Sequence, residues 1–89
     1  MKNIYYIEAS GNYIIIYLKN RRIVTNSTLK HIAECLSNEE FIKVHKSYIV
    51  SINHIDRTES QSIFINSKEL PISNTYRASF FERINQQKL

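Results

Sequence analysis

Three short polar segments carry the groups on this chain that could do chemistry. His45-Lys46-Ser47 stands between two apolar runs, Phe41–Val44 and Tyr48–Ile52. Lys46, at its centre, cannot be buried cheaply, so it must be held out in solvent, where an ammonium meets phosphate or a base edge. Ser10-Gly11-Asn12 follows the strand-like Ile4–Ile7. Asn12 suits a turn, and its amide can also bond an adenine edge through N6 and N7. Ser73-Asn74-Thr75-Tyr76-Arg77 follows Leu70-Pro71-Ile72. Asn74 and Thr75 open a helix there, where they either cap it or let its free N–H groups hold a phosphate, with Arg77 one turn in. Three such tips on a basic chain suggest a nucleic-acid reader.

Plainer readings stand beside these. His45 either contacts nucleic acid or packs at a strand end with one ring nitrogen on the backbone. Ser47 more simply supports its turn. Lys19, Arg21 and Arg22 read first as a solvated hairpin tip. His45, Ser47 and Asp56 can be drawn as a triad, but no nucleophile elbow accompanies Ser47. His31, His45 and His54 with the distant Cys35 match no zinc spacing. The sequence therefore predicts no catalytic residues, no metal and no cofactor. Glycine-rich phosphate loops are excluded by a single glycine in the chain.

The elements that must position the tips are mostly short strands. β-branched and aromatic runs predict strands at Asn3–Ala9, Tyr13–Lys19, Arg22–Thr25, Phe41–Val44, Tyr48–Ile52, Ile55–Thr58, Ser62–Asn66 and Glu69–Ile72. Tyr13–Lys19, nearly all apolar, reads as buried on both faces. Asn20-Arg21, Asn53-His54 and Ser67-Lys68 read as turns. Leu29, Ile32, Ala33 and Leu36 form one apolar stripe, so a helix is predicted near Ser27–Leu36, capped by Ser27 or Thr28, with Cys35 at its boundary. A second helix is predicted from about Asn74 to Gln86, with Tyr76, Phe80, Phe81 and Ile84 on one face. The fold class is mostly β: an antiparallel β-sheet sandwich with a short helix between strands and a C-terminal helix.

The 89 residues make one domain, and 43% hydrophobic content excludes a disordered tail. Twelve Lys and Arg against eight Asp and Glu give +4, which fits a polyanion partner. One cysteine rules out an intrachain disulfide and suits a reducing cytoplasm. No run approaches the roughly 20 apolar residues that span a membrane.

Four segments together resemble the LytTR-type DNA-binding domain of bacterial transcriptional regulators: I-Y-Y-I-E-A-S-G-N-Y at Ile4–Tyr13, T-L-K-H-I-A-E-C-L at Thr28–Leu36, F-I-K-V-H-K-S-Y-I-V at Phe41–Val50, and L-P-I-S at Leu70–Ser73. The resemblance runs from about Ile4 to Ile84. It implies loops, rather than a recognition helix, in the major groove of double-stranded DNA. By position it implies that Asn12, Lys46, Asn74 and Thr75 lie near the bases; Tyr13, His45, Ser47 and Arg77 complete the set of DNA-binding residues expected from the three tips. Two positions depart from the family pattern: Asn74 stands where Arg is common, and Ser51 where Asn is common. The resemblance also implies the output half of a two-component response regulator acting on paired repeats, and a first strand missing from residues 1–89. The isolated domain is expected to be a monomer, with pairing of the full regulator on DNA left open. The main rival is a protein-interaction or dimerisation module built on an exposed sheet edge. A single-stranded nucleic-acid binder is the other.

Overall fold

The computed structural model describes residues 3–87. Eight strands run in chain order with two α-helices: β1 (Tyr6–Ser10), β2 (Tyr13–Tyr17), β3 (Arg22–Asn26), α1 (Leu29–Cys35), β4 (Phe41–His45), β5 (Tyr48–Ser51), β6 (Arg57–Glu59), β7 (Ser62–Ile65), β8 (Lys68–Pro71) and α2 (Asn74–Gln87). A 3₁₀ turn, Ile52–His54, joins β5 to the second sheet. The architecture is mostly β, as the alternating apolar runs require. All pairings are antiparallel, in a five-stranded sheet of order β3-β2-β1-β5-β4 and a three-stranded sheet of order β6-β7-β8.

The large sheet is covered on both faces, and period-two alternation decides which residue goes where. Ile7, Ile14, Phe41 and Ile49 face α1 and pack with Leu29, while Ile32, Ala33 and Leu36 close the edge of that cluster. Tyr6, Val44 and Val50 face the other way, against Ile63, Ile65, Leu70 and Ile72 and against Phe80 of α2. Ile63 and Ile65 are fully buried while Phe64 between them points outward under the Arg57 guanidinium, 3.9 Å from its ring centre. The Arg83 guanidinium donates to the Asn38 carbonyl and so ties α2 to the loop before β4.

Several expected boundaries shift for local reasons. The first strand opens at Tyr6 rather than Asn3, although the Tyr5 N–H already donates to the Tyr17 carbonyl at 2.8 Å. β2 stops at Tyr17, and it is not buried on both faces. The small sheet and α2 cover β1, β4 and β5 and leave the outer end of β2 open, so Tyr13 is 52% exposed. The turn before β3 centres on Lys19-Asn20, closed by the Leu18 N–H on the Arg21 carbonyl at 2.8 Å. The turn before β8 is Asn66-Ser67, one residue earlier than expected. Both residues take positive φ, 50° and 68°, which is the dihedral pattern of a type I′ hairpin. Thr28 supplies the α1 cap: its hydroxyl accepts from the His31 N–H at 3.1 Å. Cys35 is exposed, because it falls outside the angular range of the 29-32-33-36 stripe.

Candidate nucleic-acid interface

The sheet topology collects the polar tips. β1 and β2 join through Gly11-Asn12, where Ser10 pairs with Tyr13. Gly11 has φ +58° at the first central position of this turn, a conformation glycine adopts without the cost that a Cβ brings. β4 and β5 join through Lys46-Ser47, where His45 pairs with Tyr48. Since β1 pairs antiparallel with β5, with Glu8 opposite Tyr48, both turns lie at the same end of the sheet. The Ala9 N–H donates to the Ser47 carbonyl at 2.8 Å and fastens one turn to the other. The third tip joins through the Ser73 N–H, which donates to the Val44 carbonyl at 2.9 Å. The start of α2 is thereby held beside the end of β4. Asn12, Lys46 and Asn74 occupy one end of the fold, all exposed.

The eight candidate residues divide by environment. Asn12, Tyr13, Lys46, Asn74 and Thr75 are exposed, whereas His45, Ser47 and Arg77 are half-buried. The His45 Nδ1 accepts from the Ser47 N–H at 3.1 Å, so the imidazole closes its own turn. With Nδ1 as the acceptor, the ring proton of neutral His45 lies on Nε2, which remains a donor. His45 also meets Tyr48 edge to face, ring centres 5.6 Å apart. A register shift between Lys43 and His45 bulges β4 just before the tip, the kind of kink that re-aims side chains. The Arg77 Nε is buried with no hydrogen-bond partner among the described residues. Lys43, which sequence reasoning left out, lies 5.8 Å from the centre of the Tyr76 ring on the first turn of α2. Its place inside the apolar β4 run hid it, since only the docking of α2 on β4 sets it beside Tyr76.

Beneath the tips, three strands are cross-linked by one carboxylate. Glu8 on β1 accepts from the Tyr17 hydroxyl at 2.9 Å and from the Tyr48 hydroxyl at 3.3 Å. Tyr6 stacks on Tyr17 with ring centres 4.3 Å apart. Burial, reinforced by Tyr17, Glu8 and Tyr48, pushes the Tyr6 hydroxyl up to about 12. Burial and then Glu8 also raise Tyr17 and Tyr48, while the nearby Arg22 opposes the rise at Tyr17. The Tyr17 and Tyr48 phenols are thus protonated donors to Glu8, and their raised pKa keeps them so further into the alkaline range.

The alternative chemistries do not assemble. Asp56 spends its carboxylate on the Asn66 N–H at 2.9 Å, beside the β2–β3 hairpin and at the far end of the sheet from His45 and Ser47. Among the described residues, no three His, Cys, Asp or Glu side chains gather as a metal site. Ser51 is buried and its Oγ lies 2.8 Å from the His54 Nδ1, so it serves the 3₁₀ turn rather than the tips. Among the described residues no helix is long and apolar enough to cross a membrane.

A two-layered β module that offers three tied polar loops at one end, backed by a small helix, is a loop-presenting binding domain. Residues 1–85 match the LytTr DNA-binding domain family, and the chain belongs to it. A solved structure described as the LytTr DNA-binding domain of a putative methyl-accepting/DNA response regulator from Bacillus cereus is similar in fold, with TM-score 0.80, 24% identity, 94% of this chain covered and 82% of that chain. No curated protein sequence matches the chain.

Proposed function

We propose that the domain binds double-stranded DNA sequence-specifically by seating its three tips in the major groove, as the output module of a bacterial transcriptional response regulator working in the cytoplasm. Membership of a DNA-binding family supports DNA as the partner. The observation that carries the loop-based mode is the pair of backbone bonds, Ala9 to Ser47 and Ser73 to Val44, that hold the three tips at one end. One duplex has to meet all three at once, and a groove about 12 Å wide admits such a cluster. The similar Bacillus cereus domain is described as part of a response regulator, which supports the regulatory setting.

Each group has a defined task in this reading. Lys46 supplies an exposed ammonium at the β4–β5 tip. Asn12 offers an amide that pairs bidentately with adenine. Asn74 and Thr75, with the free N–H groups of the first turn of α2, take a phosphate, and Arg77 lies behind them. Tyr13 adds an exposed ring at the edge of the groove. His45 and Ser47 shape the Lys46 turn, and the His45 Nε2–H is left to donate outward. A single domain makes few contacts, so paired repeats and two tethered copies raise affinity through effective concentration.

A salt-dependent gel shift tests this reading. Duplex promoter DNA is expected to bind better than random duplex, and either duplex better than single strands. Equal binding to single strands would sink the groove-reading mode. The second reading, an interaction module, is favoured by one feature: β3 is an edge strand whose Ile23 and Val24 are 43% and 55% exposed. Absence of any duplex binding at low salt would promote it.

A further inference from the structure

The end of the sheet opposite the tips carries its own concentration of positive charge. The β2–β3 hairpin brings Lys19, Arg21 and Arg22 there, and the β7–β8 hairpin of the other sheet brings Lys68. The Asn66 side-chain amide donates to the Lys19 carbonyl at 3.1 Å and holds the two hairpins together. Between them lies a cleft of about 230 Å³, lined by these four cations and floored by Tyr6 and Tyr17. All four cations are exposed, and no acidic side chain lines the cleft. Two carboxylates touch the cleft wall without pairing with its cations: Asp56 accepts from the Asn66 N–H, and Glu8 from the Tyr17 and Tyr48 hydroxyls. The ion pair found among the described residues, Arg57 to Glu59, uses none of the four.

We propose that this cleft is a second, sequence-independent contact for a nucleic-acid phosphate backbone, so that one domain holds two duplex segments. The proposal rests on the duplex-binding reading, because the first of the two segments is the one held by the tips. Two guanidinium forks among the four cations match phosphate geometry. The cleft is open and smaller than the roughly 300–1,000 Å³ of pockets that enclose small ligands. A backbone that lies across it needs no enclosure, because counterion release supplies the affinity. Distance makes the segment a second one. Asn12 and Lys19 lie at opposite ends of β2, seven residues and about 23 Å apart at roughly 3.3 Å per residue. A straight duplex seated on the tips leaves the cleft facing away from it.

The test uses the whole chain, donor- and acceptor-labelled random duplexes, and the triple variant K19A/R21A/K68A, whose sites are all exposed; thermal unfolding verifies that it folds. The wild-type chain is expected to bring the two duplexes together at low salt, in a state that light scattering shows to contain monomeric protein. The triple variant is expected to lose this bridging, and its salt slope should fall by about two to three, one for each phosphate that the missing cations leave unneutralised. Its preference for specific over random duplex should be unchanged. Lys46→Ala is expected to weaken binding at the tips, with preference lost only if the ammonium reads a base, and to keep the cleft in use. Unchanged bridging and slope in the triple variant overturn the proposal and leave the tip reading standing. Loss of all binding in the triple variant, with none in Lys46→Ala, would leave the cleft as the single duplex site and overturn both the tip reading and the two-segment proposal. Bridging that polyglutamate of matched charge abolishes as effectively as random DNA would make the cleft a site for acidic protein and overturn the proposal.

Discussion

The Ser73 N–H donates to the Val44 carbonyl at 2.9 Å, and through this bond the start of α2 is pinned to the strand that ends in the Lys46 turn. The two tips arise from segments nearly thirty positions apart in the sequence, yet neither can move without the other. Phe80, fully buried, provides the apolar anchor that lets the bond form. The geometry of the candidate interface thus depends on core packing as much as on the loops.

Lys46→Ala should weaken duplex binding about equally across sequences if the ammonium meets phosphate, and lower the salt slope by about one. If it reads a base, discrimination at one position should fall by roughly 1–3 kcal/mol. Binding isotherms at several salt concentrations, on specific and random duplexes, separate these outcomes. An unchanged affinity and slope would remove Lys46 from the interface.

Glu8→Ala should destabilise the domain by about 1–3 kcal/mol, because it strips partners from two half-buried tyrosine hydroxyls. The cost should shrink in Tyr17→Phe/Tyr48→Phe, where those hydroxyls are absent. Urea denaturation of the four proteins gives the double-mutant cycle. Additive losses would show that the carboxylate contributes nothing through these bonds.

Stability should fall at alkaline pH. The Tyr6 hydroxyl titrates near 10.0 when unfolded and near 12 when folded, so in between the native state binds the extra proton. Stability is then complete below pH 10 and declines as pH rises toward 12. Tyr17 and Tyr48, raised in the same direction, add to the decline. Denaturation midpoints measured along a pH series check this, and Tyr6→Phe should flatten the slope. A midpoint that rises with pH in this window would contradict the burial argument.

Most of the fold was legible because its strands announce themselves. Ser62–Ile65 alternates, and the structure buries Ile63 and Ile65 while turning Phe64 out. The stripe Leu29-Ile32-Ala33-Leu36 marked α1 and its packing face. The coverage of each sheet face was not legible. Tyr13–Tyr17 is apolar throughout, and only the placement of the second sheet decides that its outer end stays wet. The tips could be named from sequence because polar inserts between apolar runs must be solvated. The bonds that tie them, Ala9 to Ser47 and Ser73 to Val44, join backbone atoms, which no side-chain pattern reports. The cleft escaped for the same reason: Lys68 reaches the β2–β3 hairpin only through the packing of one sheet on the other.

Ser67→Gly should stabilise the domain. Ser67 has φ 68°, a conformation that costs a residue with a Cβ roughly 1 kcal/mol and a glycine almost nothing. The change creates an Asn-Gly pair at the β7–β8 turn, the preferred pairing for two positive-φ positions. Part of the gain is returned as extra freedom of the unfolded chain, so the net effect should be under about 1 kcal/mol. Thermal unfolding measures it, and a lower midpoint for Ser67→Gly would show that the entropic loss outweighs the relief of strain.

The isolated chain should be monomeric at micromolar concentration despite its bare edge. β3 exposes Ile23 and Val24 and is five residues long. Antiparallel pairing with a second copy about Val24 sets Val24 against Val24, Ile23 against Thr25 and Arg22 against Asn26. No like charges clash, so pairing is geometrically permitted. The contact is nevertheless small, since one short strand from each partner falls well below the roughly 1,200 Å² of buried surface that stable interfaces need. Arg21 and Arg22 also place charged, strongly hydrated side chains along this edge, which disfavours its pairing with another strand. Light scattering across a concentration series is expected to give the monomer mass, with weak association appearing only at high concentration. Val24→Lys should abolish that association and leave specific DNA binding unchanged, because the edge lies outside the tied tips. A stable dimer at micromolar concentration that Val24→Lys dissolves would make β3 an interface in its own right and strengthen the interaction-module reading.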